Sequence, residues 1–578
     1  MSRARAAGDA ALLLDAPGAT ARLAAAISAA ALPGVLDVVP GAACVLVVTE
    51  PGRWDLADLE RRIAALPLPG EAGPAAREVE IPVRYDGADL AAVAGLTGLA
   101  VSEIIERHQA ARYRVGWMGF SPGFGYLTGL DPVLAAVPRL ATPRPSVPAG
   151  SVAIAGGLTA VYPVASPGGW QLLGRTQARL WDSRRQPPAL LAPGTPVRFR
   201  AVPEPAARTL APHQAAPAPA PDEPAPPAAA AGPGRPGDAA GAGPDGWADP
   251  VEVLRTGPLA TIQDLGRPGY AHLGVPHAGA ADPGSLRQAN RLVGNADGAA
   301  ALEVTLGRLQ LRFHAAAVVA VTGAPAPVSV TSGTGGAAPA PGGSAIDVPA
   351  GAVLALAAPA DGLRSYLAVR GGIDVPPELG SRSADLLSGL GPRPLRPGDR
   401  LPVGVRGIAG PRPAPPAARA ARAAAGRPAA GHGPAAGHGA RGDDYADDAV
   451  PLRILAGPRD DWFDPAALRV LTGAAYLVTP ASNRTGLRLS GPELARARAG
   501  ELPSEGMVAG ALQVPPDAQP ILLLADHQTT GGYPVIAVVH SADIGRAAQL
   551  RPGRRVRFRL AAAGAPGAPE PGSGPARA

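Results

Sequence analysis

The densest run of chemically able side chains is Asp526-His527-Gln528-Thr529-Thr530-Gly531-Gly532-Tyr533, which follows the apolar stretch Ile521–Leu524. A carboxylate, an imidazole, an amide and two hydroxyls at a strand end can orient a polar ligand. The Gly-Gly step lets backbone approach that ligand closely. The plainer reading is a hairpin turn. Upstream, Ser482-Asn483-Arg484-Thr485-Gly486-Leu487-Arg488 supplies two guanidinium groups. Thr261-Ile262-Gln263-Asp264-Leu265-Gly266-Arg267 gathers an amide, a carboxylate and a guanidinium. Glu303 lies within the apolar run Leu302–Leu306, and an ionised Glu in a buried strand requires a partner. Asp282 before Pro283 reads as a helix cap, with Pro at the first helical position.

The first half of the chain carries a second set. Gly119-Phe120-Ser121-Pro122-Gly123 fits the spacing of a serine nucleophile elbow. The residue after the Ser must donate its N–H to an oxyanion, and here it is Pro122, which has none. Ser-hydrolase chemistry is therefore excluded, and Gly119 to Tyr126, with Phe124, reads as a rigid loop. Downstream come Arg144, Ser151, Ser166, Gly168, Gly169, Trp170 and Arg175 among dense turn signals. Composition favours barrel corners. The chemical alternative is a nest of backbone N–H groups, with Arg residues facing an anion.

The elements that must position these groups are short. Ala10–Leu14, Val35–Val39, Cys44–Thr49 and Val79–Val83 read as strands, and Ala19–Ala31 and Asp55–Leu66 as helices. That order predicts a ferredoxin-like split layer over residues 1–85. Val101–Ala110 reads as a helix, and beyond it the chain mostly alternates β-branched runs with Gly and Pro, the pattern of barrels. The fold class expected is α+β, mainly β. The divisions expected are a barrel over 86–202, a linker over 203–249, a barrel over 250–409, a low-complexity insert over 410–449, a barrel over 450–562 and a disordered tail over 563–578. The Ala/Pro linker is expected to tether the halves without fixing an interface between them.

Composition narrows the chemistry further. Gly and Pro number 75 and 70 in 578 residues, too many breakers for an all-helical protein. Every basic side chain apart from His is Arg; there is no Lys, which removes Schiff-base chemistry, a P-loop lysine and covalently carried biotin. The single Cys44 excludes an internal disulfide and fits a reducing, cytoplasmic setting. The net charge of +6 comes from scattered Arg without interleaved aromatics, so nucleic acid is not expected. The longest charge-free stretch, Ala315 to Ile346, is broken by Pro and Gly, so no membrane span is expected. His432 and His438 sit in the insert with no third ligand nearby, and no metal set is read there.

These motifs, taken in order, resemble a known pair of proteins. Residues 79–200, with Gly119 to Leu127, Val147 to Gly156, Tyr162-Pro163 and Ser166 to Trp170, are similar to the B subunit of 5-oxoprolinase, the sensor-kinase inhibitor of the Kip pair. Residues 251–404 and 451–559 are similar to the C subunit of that enzyme, through Gln263 to Arg267, Gly371 to Pro376, Gly380 to Ser383 and Asp526 to Pro534. The chain thus looks like a natural B–C fusion. The resemblance implies cyclophilin-like barrels and ATP-dependent opening of 5-oxoproline to glutamate with a separate 5-oxoprolinase A subunit. The family has Ser, Met, Asp, Met and Arg where Ala278, Ala281, Asn483, Thr485 and His527 stand, and Gln and Gly where Leu158 and Ala160 stand.

Opening a lactam needs the resonance-stabilised carbonyl activated, and phosphorylation of its oxygen does so. Phosphoryl transfer asks for positive charge around the equatorial oxygens. Without Lys, the candidates are Arg144, Arg175, Arg267, Arg484 and Arg488, with Asp264 or Asp526 to hold Mg²⁺ and Glu303 as a further catalytic candidate. Ligand contacts are expected from Phe124, Tyr126, Ser151, Ser166, Gly168, Gly169, Trp170, Gln263, Gln528, Thr529, Thr530, Gly531, Gly532 and Tyr533. The expected arrangement is one anionic pocket shared by the two halves and walled by guanidinium groups. Two other readings stay open: a regulator docking on a histidine kinase, and a carboxyltransferase served by a separate biotin carrier. Self-association is also left open.

Overall fold

The structure, a computed structural model, describes residues 3–70, 78–203, 248–333, 338–340, 342–404, 449–500 and 502–561. Most of the expected linker, insert and tail, with His432 and His438, lies outside these residues. The chain is mainly β. Most strands are short and half-apolar, because Gly and Pro cut the sequence every few residues and each strand buries one side against a neighbour.

The N-terminal layer is a four-stranded antiparallel sheet in the order Ala4–Ala6, Ala11–Asp15, Cys44–Thr49, Val35–Pro40. Helices Thr20–Ala30 and Leu56–Ala64 cover one face. Leu12 and Leu14 point into that helical core, whereas Ala11 and Leu13 point the other way, against Ala271 of the second half. Burial on both faces explains why the strand is a continuous apolar run rather than an alternating one. Asp55 caps the second helix, accepting from the N–H groups of Ala57 and Asp58.

Val79–Val83 does not complete this layer as the sequence order predicted. The N-terminal strand Ala4–Ala6 occupies that edge, and Val79–Val83 instead pairs parallel with Pro196–Ala201. Ile81 and Val83 are fully buried there in the core that holds Val197 and Phe199. The seven-stranded sheet that results runs from Gln171–Arg175 to Val79–Val83. Its two edges meet where Arg84 and Arg175 exchange backbone hydrogen bonds of 2.9 and 2.8 Å. Within it, His108 is buried between Tyr85 and Thr159.

In the second half, a six-stranded and a five-stranded sheet face each other across one core containing Val251, Ile262, Leu302, Leu311, Val319 and Leu367. Helix Pro283–Val293 lies beside the five-stranded sheet, capped by Asp282, whose side chain accepts from the Ser285 N–H at 3.1 Å. The last unit is a closed seven-stranded barrel in which the first strand, Val450–Ala456, pairs parallel with the last, Arg555–Leu560.

The halves are not loosely tethered, contrary to the expectation from the linker. The Asp37 carboxylate accepts from the N–H groups of Gly269 and Ala271 at 2.9 and 3.0 Å. Asp9 accepts from the N–H and hydroxyl of Ser541 at 2.9 and 2.5 Å. Arg459 forms a buried bidentate pair with Glu505 and approaches Asp15 of the N-terminal layer to 3.5 Å. Leu273, Val275 and Leu390 pack with Ala189 of the first half. Composition could not reveal these contacts, because they join residues hundreds of positions apart.

Candidate functional site at the junction of the barrels

The run Asp526–Tyr533 lies where three units meet. Thr529 donates to the Gly119 carbonyl at 2.9 Å and Thr530 to the Met118 carbonyl at 3.2 Å, so the second-half motif holds the first-half loop directly. Gly274 lies against the same loop, and a Cβ there would meet the Ser121 carbonyl oxygen at 2.5 Å. Its φ of +79° is a further reason that only Gly fits. Gln528 donates to Gln513 at 3.4 Å, and a Cβ on Gly531 would meet the Gln513 amide at 2.8 Å. Gly532 sits over the Leu502 carbonyl, and Tyr533 is exposed.

Arg484, Asp526 and Glu303 do come together. Arg484 pairs bidentately with Asp526, both distances 2.9 Å, pairs with Glu303 and donates to the Gly279 carbonyl at 2.6 Å. Glu303 also accepts from the Ala281 N–H at 2.9 Å and from the Tyr366 hydroxyl at 2.7 Å. Burial alone raises the Glu303 pKa, but Arg484 and Arg364 outweigh it and hold the carboxyl below its ordinary range. Burial likewise opposes the charge of Arg484, yet Glu303 and Asp526 carry its pKa well above the usual value. The triad is an ionised clamp between the closed barrel and the paired sheets, and Arg484 has no edge left to face a phosphoryl group. Its expected role as a phosphate ligand is corrected to that of a positioning residue.

The other guanidinium groups do not converge on one pocket either. Arg144 pairs with Asp89 at 2.6 Å and donates to the Trp170 carbonyl at 3.3 Å. Arg175 pairs with Asp86 at 2.7 Å on the barrel surface. Arg488 points outward from the strand Gly486–Ser490. Arg267 is buried, and burial lowers its pKa against the charges of Asp385, Asp264, Glu378 and Asp526. An anion beside Arg267 faces four carboxylates. The shared pocket walled by guanidinium groups is thus not the arrangement found; two grooves of about 530 and 410 Å³ lie instead on the paired sheets of the second half.

Asp264 organises a turn. Its carboxylate accepts from Gly266 N–H at 2.8 Å, Ser381 hydroxyl at 2.7 Å, Ser383 hydroxyl at 2.5 Å and Arg382 N–H at 2.6 Å. Gln263 donates to Thr261 and to the Ala384 carbonyl at 3.1 and 3.0 Å, while its own carbonyl oxygen is buried without a partner. In the first half, Phe124, Tyr126, Tyr162 and Trp170 form an aromatic cluster with ring centroids 5.2 to 6.3 Å apart. Gly168 abuts it, since a Cβ there would lie 2.4 Å from the Tyr162 hydroxyl. Ser151 is buried at a strand start, Ser166 lies on a short ribbon paired with Val147, and Gly169 lies near Pro143. These residues build the first-half barrel and lie apart from the charged clamp.

Sequence reasoning missed Arg364, Tyr366 and Asp385. The signal was present for two of them: Arg364 and Tyr366 are polar positions in the fully buried strand Arg364–Val369. His527 is buried, and burial lowers its pKa, so it is neutral; its Nδ1 lies 2.8 Å from the Gln528 carbonyl. Among the described residues, no group of three or more His, Cys, Asp or Glu side chains is arranged to hold a metal ion. Among the same residues, no helix is long and apolar enough to cross a membrane.

Interlocked β units with a charged clamp at their junction define a class, and the comparisons agree with it. Residues 2–191 match the carboxyltransferase domain family, subdomains C and D, and residues 273–560 match subdomains A and B. The chain belongs to this carboxyltransferase-domain family, as a fusion of one half like the 5-oxoprolinase B subunit and one like its C subunit. It is 38% identical over 311 residues to the 5-oxoprolinase C subunit of Escherichia coli K12, covering 53% of this chain and 90% of that protein. It is 44% identical over 172 residues to the 5-oxoprolinase B subunit of Escherichia coli O157:H7, covering 29% of this chain and 78% of that protein. The crystal structure of TTHA0988 superposes with a TM-score of 0.74 at 33% identity, covering 97% of this chain and 100% of the other. Urea amidolyase of Lachancea kluyveri is 32% identical over 323 residues, which span 53% of this chain but only 17% of that enzyme.

Proposed function

We propose that this chain is the fused B and C component of a cytoplasmic ATP-dependent 5-oxoprolinase, opening 5-oxo-L-proline to L-glutamate together with a separate A subunit. The observation that carries the reading is the joint one: both halves are similar to 5-oxoprolinase subunits over most of those proteins' length, and Thr529 and Thr530 fasten them to each other at the motif richest in polar side chains. The residues named for phosphate and Mg²⁺ do not fit that task. Arg144, Arg175 and Arg484 are paired with carboxylates, and Asp264 and Asp526 already accept hydrogen bonds from their own surroundings. No step of phosphoryl transfer is therefore assigned to them. What this chain supplies is a rigid junction in which polar groups are fixed before substrate arrives, the condition under which positioning lowers a barrier.

The test is glutamate formation by the purified chain with the A subunit, ATP, Mg²⁺ and 5-oxo-L-proline. Glutamate release that requires all of these supports the reading. A second reading, a carboxyltransferase acting on a separate biotin carrier, is favoured by the family match and by the urea amidolyase similarity. Turnover that depends on a biotinylated carrier or bicarbonate, with no glutamate formed, would establish that one instead. Tight binding of a histidine kinase without any turnover would leave a regulator.

A further inference from the structure

Arg267 is 1% exposed, yet its side chain is incompletely satisfied. Nη2 donates to the Ser383 carbonyl, while Nε and Nη1 are buried with no hydrogen-bond partner. Each buried donor left unpaired costs about 1–3 kcal/mol, so a polar group belongs against this edge. The field around it decides which kind. Asp385, Asp264, Glu378 and Asp526 all act on Arg267, so an anion is repelled, and the guanidinium itself repels a cation. A neutral group carrying one acceptor and one donor side by side suits both neighbours. The cis-amide of a small lactam or a urea is such a group: its carbonyl oxygen accepts from Arg267 and its N–H donates to a carboxylate.

The nearest cover is the loop from Ala384 to Gly391. It folds on itself, with the Leu387 and Ser388 N–H groups donating to Asp385 at 2.9 and 3.2 Å and the Gly389 N–H donating to the Asp385 carbonyl. A single hydrogen bond of 3.3 Å, from the Leu386 N–H to Asp526, links it to the closed barrel. Leu386 and Leu387 are 41% and 40% exposed, unusual for adjacent leucines at a domain junction. Gly389 and Gly391 both have positive φ. A Cβ on Gly391 would lie 3.1 Å from Arg267 Nη2, so the base of the loop seals the guanidinium from solvent.

Resting on the function proposed above, we propose that Arg267, with Asp385 and Asp526, forms a closed recognition site for the neutral amide of a lactam, and that the loop Ala384–Gly391 is the lid admitting it. The site as it stands is enclosed, so entry requires the lid to lift and re-form around the ligand. Lifting breaks the one long hydrogen bond to Asp526 and leaves the internal bonds of the loop intact.

Hydrogen exchange on the full chain tests this, with 5-oxo-L-proline and 2-pyrrolidinone as probes and L-proline, which lacks the ring carbonyl, as the control. Both lactams are expected to slow exchange in residues 384–391 by ~10-fold or more, and L-proline to leave it unchanged. Arg267→Lys, which keeps the charge but loses the planar edge, is expected to weaken the lactam effect by ~10-fold, the worth of about one hydrogen bond. Unchanged exchange with either lactam, or equal protection by L-proline, overturns the proposal and leaves an internal water only against Arg267. The wild-type measurement stands by itself should Arg267→Lys fail to fold. Protection without glutamate formation in the assay above would keep this site and remove the hydrolase reading, whereas glutamate formation without protection would do the reverse.

Discussion

At the residue scale, two buried groups make opposite demands. Arg484 is stabilised as a cation by Glu303 and Asp526, and truncating it strands two buried carboxylates. Arg484→Ala is expected to lower unfolding free energy by about 3–5 kcal/mol in denaturant titration, with Asp526→Asn losing part of the same amount non-additively. Any loss of activity in these variants should track the loss of the junction rather than a phosphate contact. His108 is the reverse case, since burial keeps it neutral. Thr159 already donates its hydroxyl proton to the Ala153 carbonyl, so His108 Nε2 carries the proton given to Thr159, and Nδ1 accepts from Tyr85 at 2.7 Å. Burial depresses its pKa from 6.5 to about 3. The unfolded chain therefore binds the extra proton between those values, and this contribution is complete above pH 6.5 and falls by about 1.4 kcal/mol per unit as pH drops toward 3. The slope of thermal stability against pH in that window should flatten in His108→Gln.

At the scale of elements, close approach of backbones sets what each turn tolerates. Gly274 faces the Ser121 carbonyl, and Gly371, at φ +101°, would place a Cβ 1.7 Å from the Gly404 carbonyl oxygen. Gly371→Ala is expected to destabilise the paired sheets of the second half by more than the ~1 kcal/mol typical of a Gly-to-Ala change against its preferred conformation, read as a lowered midpoint of unfolding. Gly274→Ala should act differently, loosening the hold on the loop Gly119–Gly123 with less effect on either core. Increased hydrogen exchange confined to residues 118–124 and 529–531 would show that. The strand Val79–Val83 carries the same lesson. Its residues and length were legible, and its partner was not, because pairing is decided by which apolar face remains uncovered once the neighbouring strands have formed.

At the scale of the molecule, the halves form one packed body through Asp9, Asp37, Arg459, Thr529 and Thr530 and the apolar contacts of Ala271 and Leu273. A protease site introduced between residues 203 and 248 is therefore expected to yield two fragments that still elute together in gel filtration at moderate salt. Separation into two species would show that the interface needs the covalent link. Cys44, buried in this interface with its pKa pushed up to about 12 by burial and by Glu505, should resist thiol reagents until the halves part. Its labelling rate gives an independent measure of the same event.

The sequence by itself determined the element types, the apolar faces, the cap at Asp282 and the kinship with two subunits, because these depend on local periodicity, turn chemistry and ordered motifs. It also pointed correctly to Glu303 as a group in need of partners, since a charge in an apolar strand is anomalous at any tertiary arrangement. Only the tertiary structure decided that its partner is Arg484, that Asp264 serves a turn, and that Arg267 alone among the candidate arginines retains buried N–H groups without a hydrogen-bond partner. The reason is physical. Whether a guanidinium is available to a ligand depends on which carboxylates and carbonyls the fold brings within about 3 Å of it, and those come from strands and loops far away in the chain.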